Sequence, residues 1–369
     1  MITFGVIGAT GSVGSSALRL ARLFPEGCRV AFVAARQPSS QLKNLADEFN
    51  CPAHAATSSP QWTGLTGRQT LLDLCLASDL DSVIFAASGV ETAPLLLPVL
   101  EAGKEVLLAN KETALLLGPI LATYVERGQL RPLDSEHNAL WQCLFGERRD
   151  RIAKLWLTAS GGPFLRRDLK TLHQVTAQEA LAHPVWSMGP KITIDSATMV
   201  NKGIEVLEAA VLFGQPLEKI EAVVCPGSSV HGAVEFYDGT IKLCACPPDM
   251  TLAAQAALFG TSRPNYALEQ PALDLTHLSL HFEPIDTERF PAYRLARTAG
   301  QKGRRAVLAF LGADQAAVEA FLAGQINWSE LHHLLEKTVN DAPQGDPTTL
   351  EEGLEVINAW AIRTKEILC

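Results

Sequence analysis

Ile2-Thr3-Phe4-Gly5-Val6-Ile7-Gly8-Ala9-Thr10-Gly11-Ser12-Val13-Gly14-Ser15-Ser16-Ala17-Leu18 decides how the chain begins. Ile2–Ile7 is a short apolar run that reads as a strand, and Ser16–Leu23 carries apolar residues at helical spacing. Between them lies a G-x-x-G-x-x-G turn. Its glycines let the backbone approach a pyrophosphate, and a helix start presents free N–H groups and the positive end of its dipole to an anion. The motif taken alone is also compatible with a tight strand–helix turn that binds nothing.

The same rhythm continues downstream. Arg29–Ala34, Ser82–Ala86 and Glu105–Ala109 read as strands, with helices over Leu42–Phe49 and Thr92–Ala102. Alternating strands and helices predict a parallel, doubly wound, Rossmann-like sheet over residues 1–145. At the end of the second strand, where an acidic residue often meets the ribose hydroxyls, stands Arg36. A guanidinium suits a 2′-phosphate, which points to NADPH rather than NADH, although a lone surface Arg reads the same way. From Ile152 the pattern changes to a Ser-, His- and Gly-rich α+β region, 146–263, expected to carry the catalytic chemistry. A proline-rich linker is expected over 264–292 and a small helical domain over 293–369.

Composition excludes several classes. The chain has 369 residues, 47% of them hydrophobic and 19% charged, enough for two or three cores. A net charge of −9 argues against nucleic acid as the main partner. The eight cysteines are scattered, and only Cys244 and Cys246 are close, so reduced thiols in a cytoplasmic protein are expected. No secretory leader pattern is seen, and the apolar stretch Thr113–Val125 is too short for a membrane helix. No membrane partner is expected.

Three segments concentrate polar chemistry. In Asp134-Ser135-Glu136-His137-Asn138, if Leu133–Glu136 leaves a strand, both carboxylates share one face. Paired carboxylates suit Mg²⁺ or Mn²⁺, although a solvated acidic turn reads the same way. Ser160-Gly161-Gly162-Pro163-Phe164 offers a hydroxyl and glycine N–H groups to an anion, or is an ordinary loop. His183-Pro184-Val185-Trp186-Ser187-Met188-Gly189 precedes Asp195-Ser196-Ala197-Thr198-Met199-Val200-Asn201-Lys202-Gly203-Ile204-Glu205. With a helix from Thr198, Asn201, Lys202 and Glu205 share a face and Ser196 lies near its start. That set makes a phosphate cradle beside a metal ligand; the plainer alternative is a capping serine and a surface ion pair. Trp186 in a glycine-containing loop suggests a lid, and a plain surface loop is the other reading of the segment.

Together with Leu107-Leu108-Ala109-Asn110-Lys111-Glu112 and Pro132–Ala139, these motifs resemble the 1-deoxy-D-xylulose 5-phosphate reductoisomerase family, in order, over roughly the first 260 residues. The resemblance implies that Asp134, Glu136 and Glu205 hold a divalent metal and act with Lys111 in catalysis. It implies Ser135, Ser160, His183, Trp186, Met188, Ser196, Asn201 and Lys202 as substrate contacts, with the lid over a sugar phosphate. It implies Gly8, Thr10, Gly11, Ser12, Val13, Arg36, Asn110 and Glu112 around NADPH, and a homodimer. The implied reaction is a metal-assisted rearrangement of the ketose skeleton followed by NADPH reduction to 2-C-methyl-D-erythritol 4-phosphate.

The chain departs from that pattern in three places. Cys225-Pro226-Gly227-Ser228 replaces a His-Pro-Gln-Ser stretch, Pro190 stands where an Arg is usual, and Gly312-Ala313-Asp314-Gln315 replaces an Asn-Ala-Ala-Asn-Glu-like run. These changes keep open a reductase of another sugar phosphate, or a weakly catalytic paralogue that binds NADPH or a phosphosugar. A semialdehyde dehydrogenase shares the glycine turn but needs an activated cysteine, and the neighbours of Cys143 do not suggest one.

Overall fold

The computed structural model describes residues 1–186, 188–265 and 271–368. Ser187 of the expected lid, part of the expected linker (266–270) and Cys369 lie outside the described residues.

In chain order the strands are β1 (Ile2–Ile7), β2 (Cys28–Ala35), β3 (Ala53–Ala55), β4 (Leu65–Thr66), β5 (Ser82–Phe85), β6 (Glu105–Leu108), β7 (Leu130–Pro132), β8 (Ile152–Ala159), β9 (Ile220–Val224), β10 (Val230–Phe236), β11 (Ile241–Ala245) and β12 (Glu283–Pro284). The helices are α1 (Ser12–Leu23), α2 (Ser40–Phe49), α3 (Arg68–Cys75), α4 (Ala93–Glu101), α5 (Lys111–Leu117), α6 (Leu121–Glu126), α7 (Ser135–Cys143), α8 (Ala177–Ala180), α9 (Pro190–Thr198), α10 (Val200–Phe213), α11 (Met250–Phe259), α12 (Pro291–Lys302), α13 (Arg304–Leu322), α14 (Trp328–Asp341) and α15 (Leu350–Leu368).

Two compact units account for the chain. The first comprises Met1–Thr113, Ile120–Gln142 and Asp249–Ala272. Its sheet has the order β4-β3-β2-β1-β5-β6-β7, and its pairings are parallel. β1 is flanked by β2 and β5, so the winding direction reverses there and a crevice opens beyond the carboxyl ends of these strands. Phe4, Val6, Leu18, Val33, Ile84 and Leu107 are almost wholly buried in the core, each worth about 1.5–3 kcal/mol of burial. Helix α11 packs against α1, with Phe24 and Phe259 meeting edge-on at 5.4 Å.

The second unit comprises Ala114–Pro119, Cys143–Pro248 and Leu273–Cys369. Its sheet has the order β11-β10-β8-β9-β12, mixed in direction, with β8 and β9 parallel. The two-residue β12 lies within the expected linker and pairs with β9. The C-terminal region is helical, as expected, and α13 is its centre. Gly312 has a physical reason there: a Cβ on it would lie 2.2 Å from the Ile357 carbonyl of α15, so the close approach of the two helices requires glycine.

Helix α14 begins with a capping box between Asn327 and Glu330. Its Trp328 meets Phe164, Phe321 and His332 edge-on at 5.2, 5.8 and 5.2 Å. Both ring nitrogens of His332 are buried without a hydrogen-bond partner among the described residues. Burial pushes its pKa down to about 4. The fold therefore favours the neutral ring. That stability is complete above the unfolded value near 6.5 and is lost as pH falls through 4. Acidification across this window is expected to cost about 3 kcal/mol through His332 alone. Urea unfolding at pH 7 and pH 4.5 checks this: His332→Phe should show a clearly smaller loss than the parent, and equal losses would refute it.

Candidate active site

In the first unit the glycine turn is built as its spacing predicts. Gly8 follows β1 with φ +90°, and a Cβ there would stand 2.5 Å from the Ala86 backbone. A Cβ on Gly14 would stand 2.2 Å from the Gly8 carbonyl oxygen. The Gly8 and Ala9 N–H groups donate to the Ala34 carbonyl, tying the turn to β2. The helix begins at Ser12, earlier than the expected Ser16, and Gly11 at its N-cap provides no side-chain hydrogen bond. Gly11 and Ser12 are exposed, Thr10 is half-buried, and Val13 packs on the core. Arg36 is exposed and lies 3.4 Å from Glu91.

Asn110 sets the far side of this crevice. Its side-chain amide donates to the carbonyls of Ala87 and Gly89, and its oxygen accepts from the Thr113 N–H at the start of α5. Lys111, on the first turn of α5, is buried and donates to Asp134. Glu112 beside it is half-buried.

The geometry of Asp134 and Glu136 corrects the sequence reading. β7 ends at Pro132 and α7 begins at Ser135, so the carboxylates do not share the face of a strand. Asp134 precedes the helix, and its Oδ1 accepts from the Glu136 N–H at 3.2 Å. Asp-Ser-Glu is a helix-start pattern, and the orphan N–H groups of a first turn outcompete strand continuation. Glu136 lies in that first turn and accepts from the Ser135 hydroxyl at 2.7 Å. His137, fully buried, contacts Asp134 Oδ1 through Nδ1 at 2.9 Å. Sequence reasoning assigned His137 no role, although its i+3 spacing from Asp134 was visible.

The second unit carries Ser160, His183 and Ser196 of the expected substrate contacts. β8 runs into Ser160, followed by Gly161 and Gly162 at φ +92° and +64°. A Cβ on Gly162 would come within 3.1 Å of the Ser196 carbonyl, so this loop lies against the backbone of α9. The Ser160 hydroxyl accepts from the Gly162 N–H and lies 3.2 Å from His183 Nε2. His183 Nδ1 accepts from the backbone N–H groups of Val185 and Trp186. The ring proton is thereby assigned to Nε2, which donates to Ser160. Burial holds the His183 pKa below its ordinary value, consistent with a neutral ring. Ser160, accepting from both Gly162 and His183, keeps its own hydroxyl proton to donate elsewhere. Trp186 meets the His231 ring edge-on at 6.2 Å, and Met188 is half-buried.

Ser196 also needs correction. It lies near the C-terminal end of α9, not at a helix start, because Met199 takes a left-handed conformation (φ 62°) that separates α9 from α10. Lys202 and Glu205 do not form a surface pair: their side chains are 5% and 1% exposed. Asn201 and Lys202 both donate to Glu205. The Cys225–Ser228 turn borders the Ser160 loop, with the Cys225 N–H donating to the Ala159 carbonyl at 2.8 Å.

Cys28, Cys51 and Cys143 are poor nucleophiles. Seven are free among the described residues. Burial pushes the Cys143 thiol up to about 12 and those of Cys28 and Cys51 to about 11. Thiols of that kind stay protonated, which removes the reason to read the chain as a semialdehyde dehydrogenase.

Family models cover most of the chain: 1-deoxy-D-xylulose 5-phosphate reductoisomerase over residues 4–118, its C-terminal domain over 130–213, and the DXP reductoisomerase C-terminal domain over 246–363. A 1-deoxy-D-xylulose 5-phosphate reductoisomerase of Thermomicrobium roseum is 42% identical over 367 residues, spanning 96% of this chain and 94% of the relative. The chain belongs to the 1-deoxy-D-xylulose 5-phosphate reductoisomerase family. A reductoisomerase of Chlamydia muridarum is 39% identical, covering 92% of this chain and 94% of its own. Among solved structures, the Zymomonas mobilis reductoisomerase in complex with NADPH matches with a TM-score of 0.86 and 32% identity, over 100% of this chain and 99% of that one. A DOX-P reductoisomerase in complex with NADPH, fosmidomycin and magnesium gives 0.84 and 31%, over 100% and 97%.

Proposed function

We propose that this reductoisomerase-family chain converts 1-deoxy-D-xylulose 5-phosphate to 2-C-methyl-D-erythritol 4-phosphate, with Asp134, Glu136 and Glu205 as ligands of Mg²⁺ or Mn²⁺. Family membership supports the reaction. The observation that carries the residue assignment is the buried Lys202–Glu205 pair, joined by half-buried Asn201, charged chemistry kept inside a helix face where an ordinary surface pair would be solvated. Residues 1–145 are assigned to NADPH and also supply Asp134 and Glu136, 146–263 to phosphosugar and the third carboxylate, Glu205, and 293–369 to the supporting helical domain.

The donors fit the cation. Three carboxylates and no thiol are the set a hard divalent ion prefers. The glycine turn fits the dinucleotide, because Gly11 and Ser12 are exposed at the start of α1 and no capping side chain stands in front of its first-turn N–H groups. When bound, the metal polarises neighbouring carbonyl and hydroxyl oxygens, and NADPH supplies hydride. Ser160 and Ser196 offer hydroxyls to the phosphate, Asn201 an amide and Lys202 an ammonium. His183 fixes the Ser160 hydroxyl in its donating orientation. Trp186 and Met188 belong to the segment that excludes water when it closes. Detection of 2-C-methyl-D-erythritol 4-phosphate by NMR tests the assignment; a different reduced sugar would move it to another substrate.

Arg36 is assigned to the 2′-phosphate of NADPH. Arg36→Ala is expected to weaken NADPH binding about tenfold, the worth of one hydrogen bond to a charged group. NADH binding should be unchanged. Fluorescence titration of both nucleotides checks this, and equal losses for the two would contradict it.

A homodimer is part of this reading. β11 is an edge strand with Ile241 and Leu243 55% and 43% exposed, and Tyr237 just before it is 63% exposed. Such an edge suits pairing with a second copy, which sedimentation measures directly. No helix among the described residues is long and apolar enough to cross a membrane, and the free cysteines support a cytoplasmic location.

A further inference from the structure

We infer that Asp314, through Lys191, is a positioning residue for the phosphate end of the site. The inference rests on the phosphate assignment above. Lys191 sits in the first turn of α9, directly after Pro190 at N1. Its ammonium lies 2.5 Å from Asp195 on the same helix and 2.5 Å from Asp314 on α13. Asp314 is fully buried and the Asp195 side chain is 7% exposed. Asp314 and Lys191 are 123 residues apart in sequence.

Two carboxylates on one ammonium are poor value for stability. Taking them out of water costs several kcal/mol per ion, and a well-packed apolar cluster of similar volume does as well or better. Asp314 Oδ1 is moreover buried without a hydrogen-bond partner among the described residues. What such a cluster does supply is one fixed geometry, because the ammonium must meet both acceptors at once. That geometry bears on the site at two points. Asp195 immediately precedes Ser196, and the Ser196 carbonyl is the surface against which Gly162 of the Ser160 loop lies. Lys191 is also only two residues beyond Gly189, so the clamp fixes where α9 begins. Pro190 reinforces this, since its ring presets the first helical φ. Helix α13, the centre of the C-terminal helices, thus sets where α9 presents Ser196.

The test uses the full-length protein and the variants Lys191→Met and Asp314→Asn. Three quantities are measured: KM and kcat for the phosphosugar, the competitive inhibition constant of inorganic phosphate, and the NADPH dissociation constant. The expected result is a roughly tenfold rise in both KM and the phosphate inhibition constant, with kcat within threefold and NADPH binding unchanged. If Lys191→Met does not fold, the isosteric Asp314→Asn carries the test. Variants that melt earlier but keep wild-type KM and phosphate inhibition would overturn the inference, reducing the clamp to a structural contact. A wild-type protein without turnover would overturn the functional reading instead, so the two failures are separable.

Discussion

Glu205→Gln is expected to lower turnover roughly 10³-fold, equal to about 4 kcal/mol of transition-state stabilisation, with NADPH affinity within twofold of the parent. The change keeps side-chain shape and removes charge. It takes one carboxylate from the proposed metal site, so charge developing on the substrate oxygens loses its counter-ion. It also presents an amide to Lys202, whose ammonium donates to Glu205 inside a helix face. A destabilisation on the order of 3–5 kcal/mol is therefore expected as well, as when one partner of a buried pair is removed. NADPH binding separates the effects, because the glycine turn belongs to the first unit and Glu205 to the second. Turnover and nucleotide titration on the same preparation check it. Unchanged turnover would remove Glu205 from the chemistry.

Asp134→Ala should be the most damaging change in the first unit. One carboxylate serves Lys111, the Glu136 N–H and His137. Lys111 and His137 side chains are 10% and 0% exposed. Deleting their partner is expected to cost about 3–5 kcal/mol and to abolish metal-dependent turnover. Asp134→Asn keeps an acceptor for the first turn of α7 and should recover part of the stability but not the activity. Adding Lys111→Met to Asp134→Ala removes a buried charge that has lost this partner, so the double variant should be more stable than additivity predicts. Urea unfolding of the four proteins measures the coupling. Additive losses would show that the Lys111–Asp134 pair is energetically silent.

Local chemistry was legible in the sequence and long-range geometry was not. The Gly8–Gly14 turn was readable because each glycine answers a local need: a positive φ at Gly8, and no room for a Cβ at Gly14. The parallel sheet followed from strand–helix alternation, but β3 and β4, three and two residues long, are too short to carry a period. Asp134 and Glu136 were identified by type and misplaced in geometry, because the end of β7 at Pro132 and a helix-start pattern outweighed strand continuation. Ser196 was misplaced for a similar reason: the left-handed turn at Met199 splits what reads as one helix into two. Burial of Lys202 and Glu205 depends on helices contributed from the far end of the chain. A Cβ on Gly203 of α10 would lie 2.5 Å from Ala296 of α12, an approach no local pattern announces. The Lys191–Asp314 contact is of the same kind.

Metal-dependent reduction of this phosphosugar is read from the loss of NADPH absorbance with 1-deoxy-D-xylulose 5-phosphate, first after chelation of divalent ions and then with Mg²⁺ or Mn²⁺ restored. No oxidation is expected under chelation, and steady oxidation once either ion returns. Absence of oxidation with the metal present and NADPH demonstrably bound would contradict it.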